Sequence, residues 1–518
     1  MSDSKYPREA RSRYRIPAHA AVLAGLLLLF AVPGALSQEK PVESRWELPA
    51  RVETRHTLTL AGQALDYRAV AETIDLTNQK GEPSASVFTV SYFADVPAGQ
   101  VRPVAFAFNG GPGAAAVFLH LGGLGPRILD TPASGAVPPP PFRLADNPST
   151  WLAFTDLVFI DPVGTGYSRG KGKEDNPDKP FWDVRSDIDS LEAVIRRWLT
   201  RYDRWGTPVF LVGESYGGLR AAALARSLPR DVGVTVSGLV LVAPALDISS
   251  LRPDIGNTLA HAFQLPSYAA TAAAFAGRSP VESGAAAERF ALTDYLVGLA
   301  GLVGIPADDD PFIARVAGLI DLPQEAVRRE RGRVSGRTFS RELRRPQREI
   351  LSLYDATVTR PTGANPWNDH AGDPVLDPSV AAFTAAFESY AIGELGYRTE
   401  QPYRVLARDV SQGWNWDGAR GSEGGLGLPL SSLQDALLAR PGTKVLVASG
   451  RYDLVTPYFG ARWLIDQLAV PAATRDRIGL RVYEGGHMMY MRPASRAALS
   501  DDAAALFTTP STPAAAPR

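Results

Sequence analysis

Ser215, Asp453 and His487 are the residues whose types and order could do covalent chemistry. A serine hydroxyl at its free pKa is a poor nucleophile. It needs a base to take its proton, and the base needs a carboxylate to orient it. Ser215 stands in Gly213-Glu-Ser-Tyr-Gly-Gly218, between the apolar run Val209 to Val212 and an alanine- and leucine-rich stretch from Leu219 to Leu228 that Pro229 stops. That is a strand, a sharp glycine turn and a helix, the context of a nucleophile elbow. The turn leaves the hydroxyl exposed above the sheet, and the helix N-terminus favours developing negative charge there. A second match, Gly166-Tyr-Ser-Arg-Gly170, is followed by charged residues and prolines and by no helix, so Ser168 is read as a noncatalytic loop residue.

His487 follows the strand Gly479 to Tyr483 directly, in Glu484-Gly-Gly-His487. Of the six histidines, it is the one placed on a loop at the carboxyl end of a strand, where parallel sheets present their chemistry. His19 falls in the N-terminal leader. His56, His261 and His370 read as structural or surface residues, and His120 as either a site-lining or a helix-face residue. Strand Lys444 to Ser449 runs into Gly450-Arg-Tyr-Asp453, which puts a carboxylate on the neighbouring loop. The chain order serine, aspartate, histidine is that of an α/β-hydrolase. The oxyanion donors are assigned to the backbone N–H of Gly111, in a glycine loop after strand Pro103 to Asn109, and of Tyr216, the residue after the nucleophile.

The elements around these residues alternate strand and helix. Segments between Arg55 and Asp95 alternate like antiparallel strands. Continuous apolar runs at 103–109, 156–161, 209–212 and 238–243 read as parallel strands covered on both faces. Val184, Ile188, Leu191, Ile195, Trp198 and Tyr202 lie on one face of a helix. The expected fold is an α/β-hydrolase with a mostly parallel central sheet, an antiparallel N-terminal part and a mostly helical insertion. The expected divisions are a signal peptide at 1–37, core at 38–250, insertion at 251–430, core at 431–507 and a disordered tail at 508–518.

Net charge is −1 over 518 residues, so charge gives no case for nucleic acid or membrane partners. The absence of cysteine excludes disulfides, thiolate zinc sites and a cysteine nucleophile. No metal-ligand or P-loop motif is present, and neither metal nor cofactor is expected. Five basic residues from Lys5 to Arg15, the apolar run Ala20 to Val32 and the small residues Ala35 to Ser37 read as a secretory signal cut before Gln38. This implies a periplasmic or secreted protein with no stable membrane association after cleavage; an uncleaved anchor is the alternative. The nine arginines of Arg328 to Arg348 read as a solvated helical face, and Asp308-Asp-Asp310 as a helix cap. Trp414-Asn-Trp416 reads as a segment over the site or a buried turn.

The whole set of motifs resembles the serine carboxypeptidase family: Asn109-Gly-Gly-Pro-Gly113, Asp161-Pro-Val-Gly-Thr-Gly-Tyr-Ser168, Gly213-Glu-Ser-Tyr-Gly-Gly218, Gly450-Arg-Tyr-Asp453 and Gly486-His487-Met488. The resemblance implies removal of residues from peptide C-termini. It implies that Asn109 and Glu214 bind the substrate's free carboxylate. Many members have a cysteine where Ala114 stands here, and a second carboxylate-binding acid where Gly123 stands. The competing readings are an esterase or acyltransferase with the same triad, and a catalytically dead binding protein.

Overall fold

The computed structural model describes residues 48–97, 99–363, 365, 367, 369–417, 428–440 and 442–508. Ten strands form the main sheet: β1 (Arg51–Leu60), β2 (Gln63–Thr77), β3 (Pro83–Ala94), β4 (Val104–Phe108), β5 (Asp156–Ile160), β6 (Arg169–Gly170), β7 (Val209–Glu214), β8 (Val236–Val242), β9 (Lys444–Gly450) and β10 (Ile478–Tyr483). Their spatial order is β1-β2-β3-β5-β4-β7-β8-β9-β10, with β6 paired beside β3. The first three strands and the β3–β5 contact are antiparallel, and every contact from β5 to β10 is parallel. This is an α/β-hydrolase sheet. The strand order reverses where β4 sits between β5 and β7, and the loop after β4 therefore opens at the switch point beside the nucleophile strand.

The sheet is covered on both faces because β4, β5 and β7 are buried at every position. On one face lie α1 (Val184–Arg201) and α2 (Tyr216–Ser227). Helix α1 starts at Asp183, whose carboxylate accepts from the N–H of Arg185 and Ser186, each at 3.0 Å. Its apolar stripe buries Trp198, which stacks on Phe93 at 5.7 Å and donates to Ser91 Oγ at 2.9 Å. The indole thus gains burial without an orphaned N–H.

After β8 the chain turns helical. Helix α3 (Thr258–Phe275) and the shorter helices that follow enclose a separate apolar cluster. The residues read from sequence as one insertion divide among three apolar clusters. Helix α4 (Leu376–Gly393) sends Phe383, Phe387 and Tyr390 into the sheet's own core, beside Phe118 and Phe88. Helix α5 (Leu428–Ala439) packs Leu430, Leu433 and Leu437 into the cluster shared with α2. Helix α6 (Tyr458–Asp466) and α7 (Pro493–Thr508) complete the two faces. Asp310 caps the helix Pro311–Ile320, as its sequence position suggests. Four of the nine arginines of 328–348 are ion-paired: Arg328 to Asp308 and Glu325, Arg329 and Arg345 to Glu342, and Arg344 to Glu349. No helix among the described residues is long and apolar enough to cross a membrane. The leader and tail readings concern residues 1–37 and 508–518, which apart from Thr508 lie outside the described residues.

Candidate active site

Ser215 sits between β7 and α2 with φ 58° and ψ −123°. Its backbone is fixed on both sides: its N–H donates to Val242 O at 2.9 Å, and its carbonyl accepts from the N–H of Gly218 and Ala245, each at 2.9 Å. Such a conformation is costly for a residue with a Cβ and persists only where its surroundings impose it. A Cβ on Gly213 would lie 1.9 Å from Gly217 O, so the turn closes only with glycine there. The serine side chain has no capping bond to the helix and is half-buried, whereas Ser168 is fully buried. Ser168 Oγ donates to Asp161 O at 2.6 Å and accepts from Phe88 N–H at 2.8 Å, which spends the hydroxyl on holding its own loop.

The loops after β9 and β10 bring Asp453 and His487 together. His487 Nδ1 lies 2.8 Å from Asp453 Oδ2. Asp453 Oδ1 accepts from the N–H of Val455 at 2.7 Å and Thr456 at 3.0 Å. Thr456 Oγ1 reaches Asp453 Oδ2 at 2.8 Å, Ala243 O at 2.9 Å and His487 Nδ1 at 3.0 Å. Burial opposes a charged imidazole at His487, yet the charge and hydrogen bond of Asp453, with the charge of Glu214, carry its pKa upward overall. No hydrogen bond joins Ser215 Oγ to His487 among the described residues. Apo geometry of this kind often tightens only with substrate.

The loop after β4 runs against the elbow. A Cβ on Gly110 would lie 2.4 Å from the backbone nitrogen of Tyr216, so this glycine permits the close approach. Gly111 has φ 99° and lies one residue further along. The Gly111 N–H donates to no backbone carbonyl among the described residues.

Asn109 and Glu214 meet beneath this loop. Asn109 Nδ2 donates to Glu214 Oε2, and Asn109 Oδ1 accepts from Leu119 N–H at 3.0 Å. Glu214 is 3% exposed. Burial pushes its pKa up to about 7, against the charge of His487 and a hydrogen bond from Tyr490 Oη to Oε1 at 2.7 Å.

Several residues of this neighbourhood escaped the sequence reading. Arg220 is fully buried, pairs with both oxygens of Asp187 at 2.8 and 3.0 Å and donates to Asn109 O. An arginine inside an alanine-rich buried helix was a signal for it. Tyr354, from the helical region, stacks edge-on against the His487 ring at 5.3 Å, and its carbonyl accepts from the His487 backbone N–H. Tyr490 and Thr456 had no distinguishing pattern. Trp414 and Trp416 contact the Tyr216 ring edge-on, at 5.4 and 5.6 Å. His120 does not line the site. It is buried against Phe159 at 4.2 Å and bonded to Tyr92 Oη at 2.6 Å, and burial lowers its pKa to about 3. The described residues contain no group of side chains suited to a metal ion.

The sequence model described as serine carboxypeptidase matches residues 81–236. That segment contains Asn109, Gly111, Glu214, Ser215 and Tyr216, whereas Asp453 and His487 lie beyond it. Serine carboxypeptidase-like 51 of Arabidopsis thaliana is 33% identical over 132 residues, covering 24% of this chain and 25% of that protein. A probable serine carboxypeptidase of Arthroderma benhamiae is 29% identical over 134 residues, covering 23% of this chain and 22% of that protein. Each match spans about a quarter of the relative's length. Among solved structures, the proline iminopeptidase of Mycobacterium smegmatis aligns over 83% of this chain and 97% of its own at 15% identity, with a TM-score of 0.34. At that level the likeness carries no functional argument.

Proposed function

We propose, from the match of residues 81–236 to the serine carboxypeptidase family model, that this chain is a serine hydrolase that releases C-terminal residues from peptides. The observation that carries the proposal is the 2.8 Å contact between Asp453 and His487, on loops at the same sheet edge as the strained Ser215. In this reading Ser215 Oγ attacks the scissile carbonyl carbon and its proton passes to His487 Nε2. The backbone N–H groups of Gly111 and Tyr216 donate to the oxyanion. His487 then gives that proton to the leaving amine, and the C–N bond breaks. Water repeats the sequence on the acyl-enzyme and frees Ser215. Asp453 fixes the imidazole tautomer and stabilises its charged form.

Glu214 and Asn109 supply the exopeptidase character. A neutral Glu214 can donate a hydrogen bond to the substrate's terminal carboxylate, and a bound anion favours that neutral form. The esterase reading draws on a different observation: both Glu214 oxygens already have partners within the protein, Asn109 and Tyr490. A panel of peptides with free-acid and amidated C-termini separates the two. Preference for the free acid supports the carboxypeptidase; equal cleavage, or cleavage of esters alone, rejects it. Mapping of a fluorophosphonate adduct tests the chemistry itself. The adduct is expected on Ser215, and labelling that survives Ser215→Ala refutes the assignment. The N-terminal leader adds the proposal that the protein works outside the cytoplasm.

A further inference from the structure

We propose that Tyr490 is the positioning residue for Glu214, setting through its buried hydroxyl the protonation state in which Glu214 meets the end of the substrate. The inference rests on the role given to Glu214 above.

Three side chains form a buried chain. Asn109 Nδ2 donates to Glu214 Oε2, and Tyr490 Oη donates to Oε1 at 2.7 Å. Tyr490 is fully buried, three residues past His487, in the turn Met489–Met491. The guanidinium of Arg496 donates to its carbonyl at 3.2 Å. The ring packs against a glycine pair. A Cβ on Gly122 would come within 2.8 Å of Tyr490 Cε2, and one on Gly123 within 3.1 Å of Cγ.

This arrangement biases one charge state. An ionised carboxylate accepts at both oxygens, which suits both donors. A protonated Glu214 must give one hydrogen away, and a proton on Oε1 would oblige the phenol to turn its own hydrogen elsewhere. Tyr490 therefore favours the ion while burial favours the neutral acid. The groups facing Glu214 are Asn109 from the loop after β4, Tyr490 and His487 from the segment after β10, Asp453 from the loop after β9, and Tyr354 from the helical region. Glu214 and His487 influence each other and titrate as a pair.

The test is Tyr490→Phe, which removes one oxygen and keeps the ring. Glu214 should then stay neutral to a pH higher by roughly one unit, the loss of one hydrogen bond to a charged group. His487 loses the charge that helps to raise its pKa, so the acid limb of fluorophosphonate acylation should move to lower pH. The same substitution on a Glu214→Gln background should leave that limb where Glu214→Gln alone puts it. Tyr490→3-fluorotyrosine, a stronger donor of the same shape, should move the limb the other way, and it serves if the phenylalanine variant does not fold. A limb that does not move in either variant overturns the proposal, as does a shift of equal size on the Glu214→Gln background. Peptide KM gives the second reading: its rise with pH should begin about one unit higher in Tyr490→Phe. If free-acid and amidated peptides prove equivalent, the carboxypeptidase reading fails, and the acylation limb still decides the role of Tyr490.

Discussion

Replacing Asp453 by asparagine would invert the imidazole that it orients, and the structure dictates how. Two backbone N–H groups, of Val455 and Thr456, converge on Oδ1 at 2.7 and 3.0 Å. In Asp453→Asn they pin the new amide oxygen at the Oδ1 place. The amide nitrogen must then occupy the Oδ2 place, 2.8 Å from His487 Nδ1. Two N–H donors cannot face each other, so His487 turns to the tautomer with its proton on Nε2. That nitrogen can no longer accept the Ser215 proton. Thr456 Oγ1 keeps an acceptor in Ala243 O at 2.9 Å, so the fold has little reason to move. The loss of the productive tautomer is expected to lower kcat by about 10⁴-fold, near 5 kcal/mol of barrier. Steady-state hydrolysis and the rate of fluorophosphonate acylation should fall together. Unfolding by denaturant should keep its midpoint within that of a conservative substitution. Turnover within tenfold of the parent enzyme, in a folded variant, would refute the role of Asp453 and require another carboxylate behind His487.

Three other outcomes test other links. Glu214→Gln donates at every pH, so peptide KM should lose most of its rise through the Glu214 pKa of about 7; an unchanged KM–pH curve counts against Glu214 as the carboxylate sensor. Arg220→Leu leaves Asp187 buried without its partner, which should cost roughly 3–5 kcal/mol in denaturant unfolding. Burial, only partly offset by Arg220, already raises the Asp187 pKa. A folded-state pKa raised further by the substitution makes the loss greatest at neutral pH and smaller as falling pH protonates Asp187; a loss below about 1 kcal/mol at neutral pH contradicts this. Protein recovered from its native host should begin near Gln38 on N-terminal sequencing, and an intact Met1 would favour an anchor.

What the sequence made legible is what chemistry confines to a short stretch. The elbow needs a strand, two glycines and a helix in succession, and all of these are contiguous between Val209 and Ser227. Asp453 and His487 were legible because each directly follows a strand, and parallel strands deliver their loops to one edge. Tyr490 was not, because no rule of spacing says that a turn after His487 folds back onto Glu214. Helix α4 shows a related limit. A helix there fits the mostly helical insertion expected from sequence, but Phe383, Phe387 and Tyr390 could have met other insertion helices or the sheet, and only tertiary packing chose the sheet. The ends of β1 and β2 ran longer than their apolar cores suggested. Their outer residues alternate between exposed and part-buried positions, and backbone pairing rather than hydrophobicity extends them.

The residues at 353–356 have a consequence for how this protein could be altered by recombination. Leu353 O accepts from the Leu454 N–H, Tyr354 O from the His487 N–H, and the Ala356 N–H donates to Tyr452 O. Tyr452 and Leu454, on either side of Asp453, belong to the apolar cluster of the helical region. A Cβ on Gly486 would lie 1.9 Å from Tyr354 O, so the approach is as close as glycine allows. The loops bearing the acid and the base are therefore both moored to one four-residue berth outside the sheet. A graft that exchanges the helical region for that of another protein must carry that berth across intact. A chimera cut inside it would lose the alignment of Asp453 with His487. In this protein the helical region and the loops that carry the acid and the base share a seam.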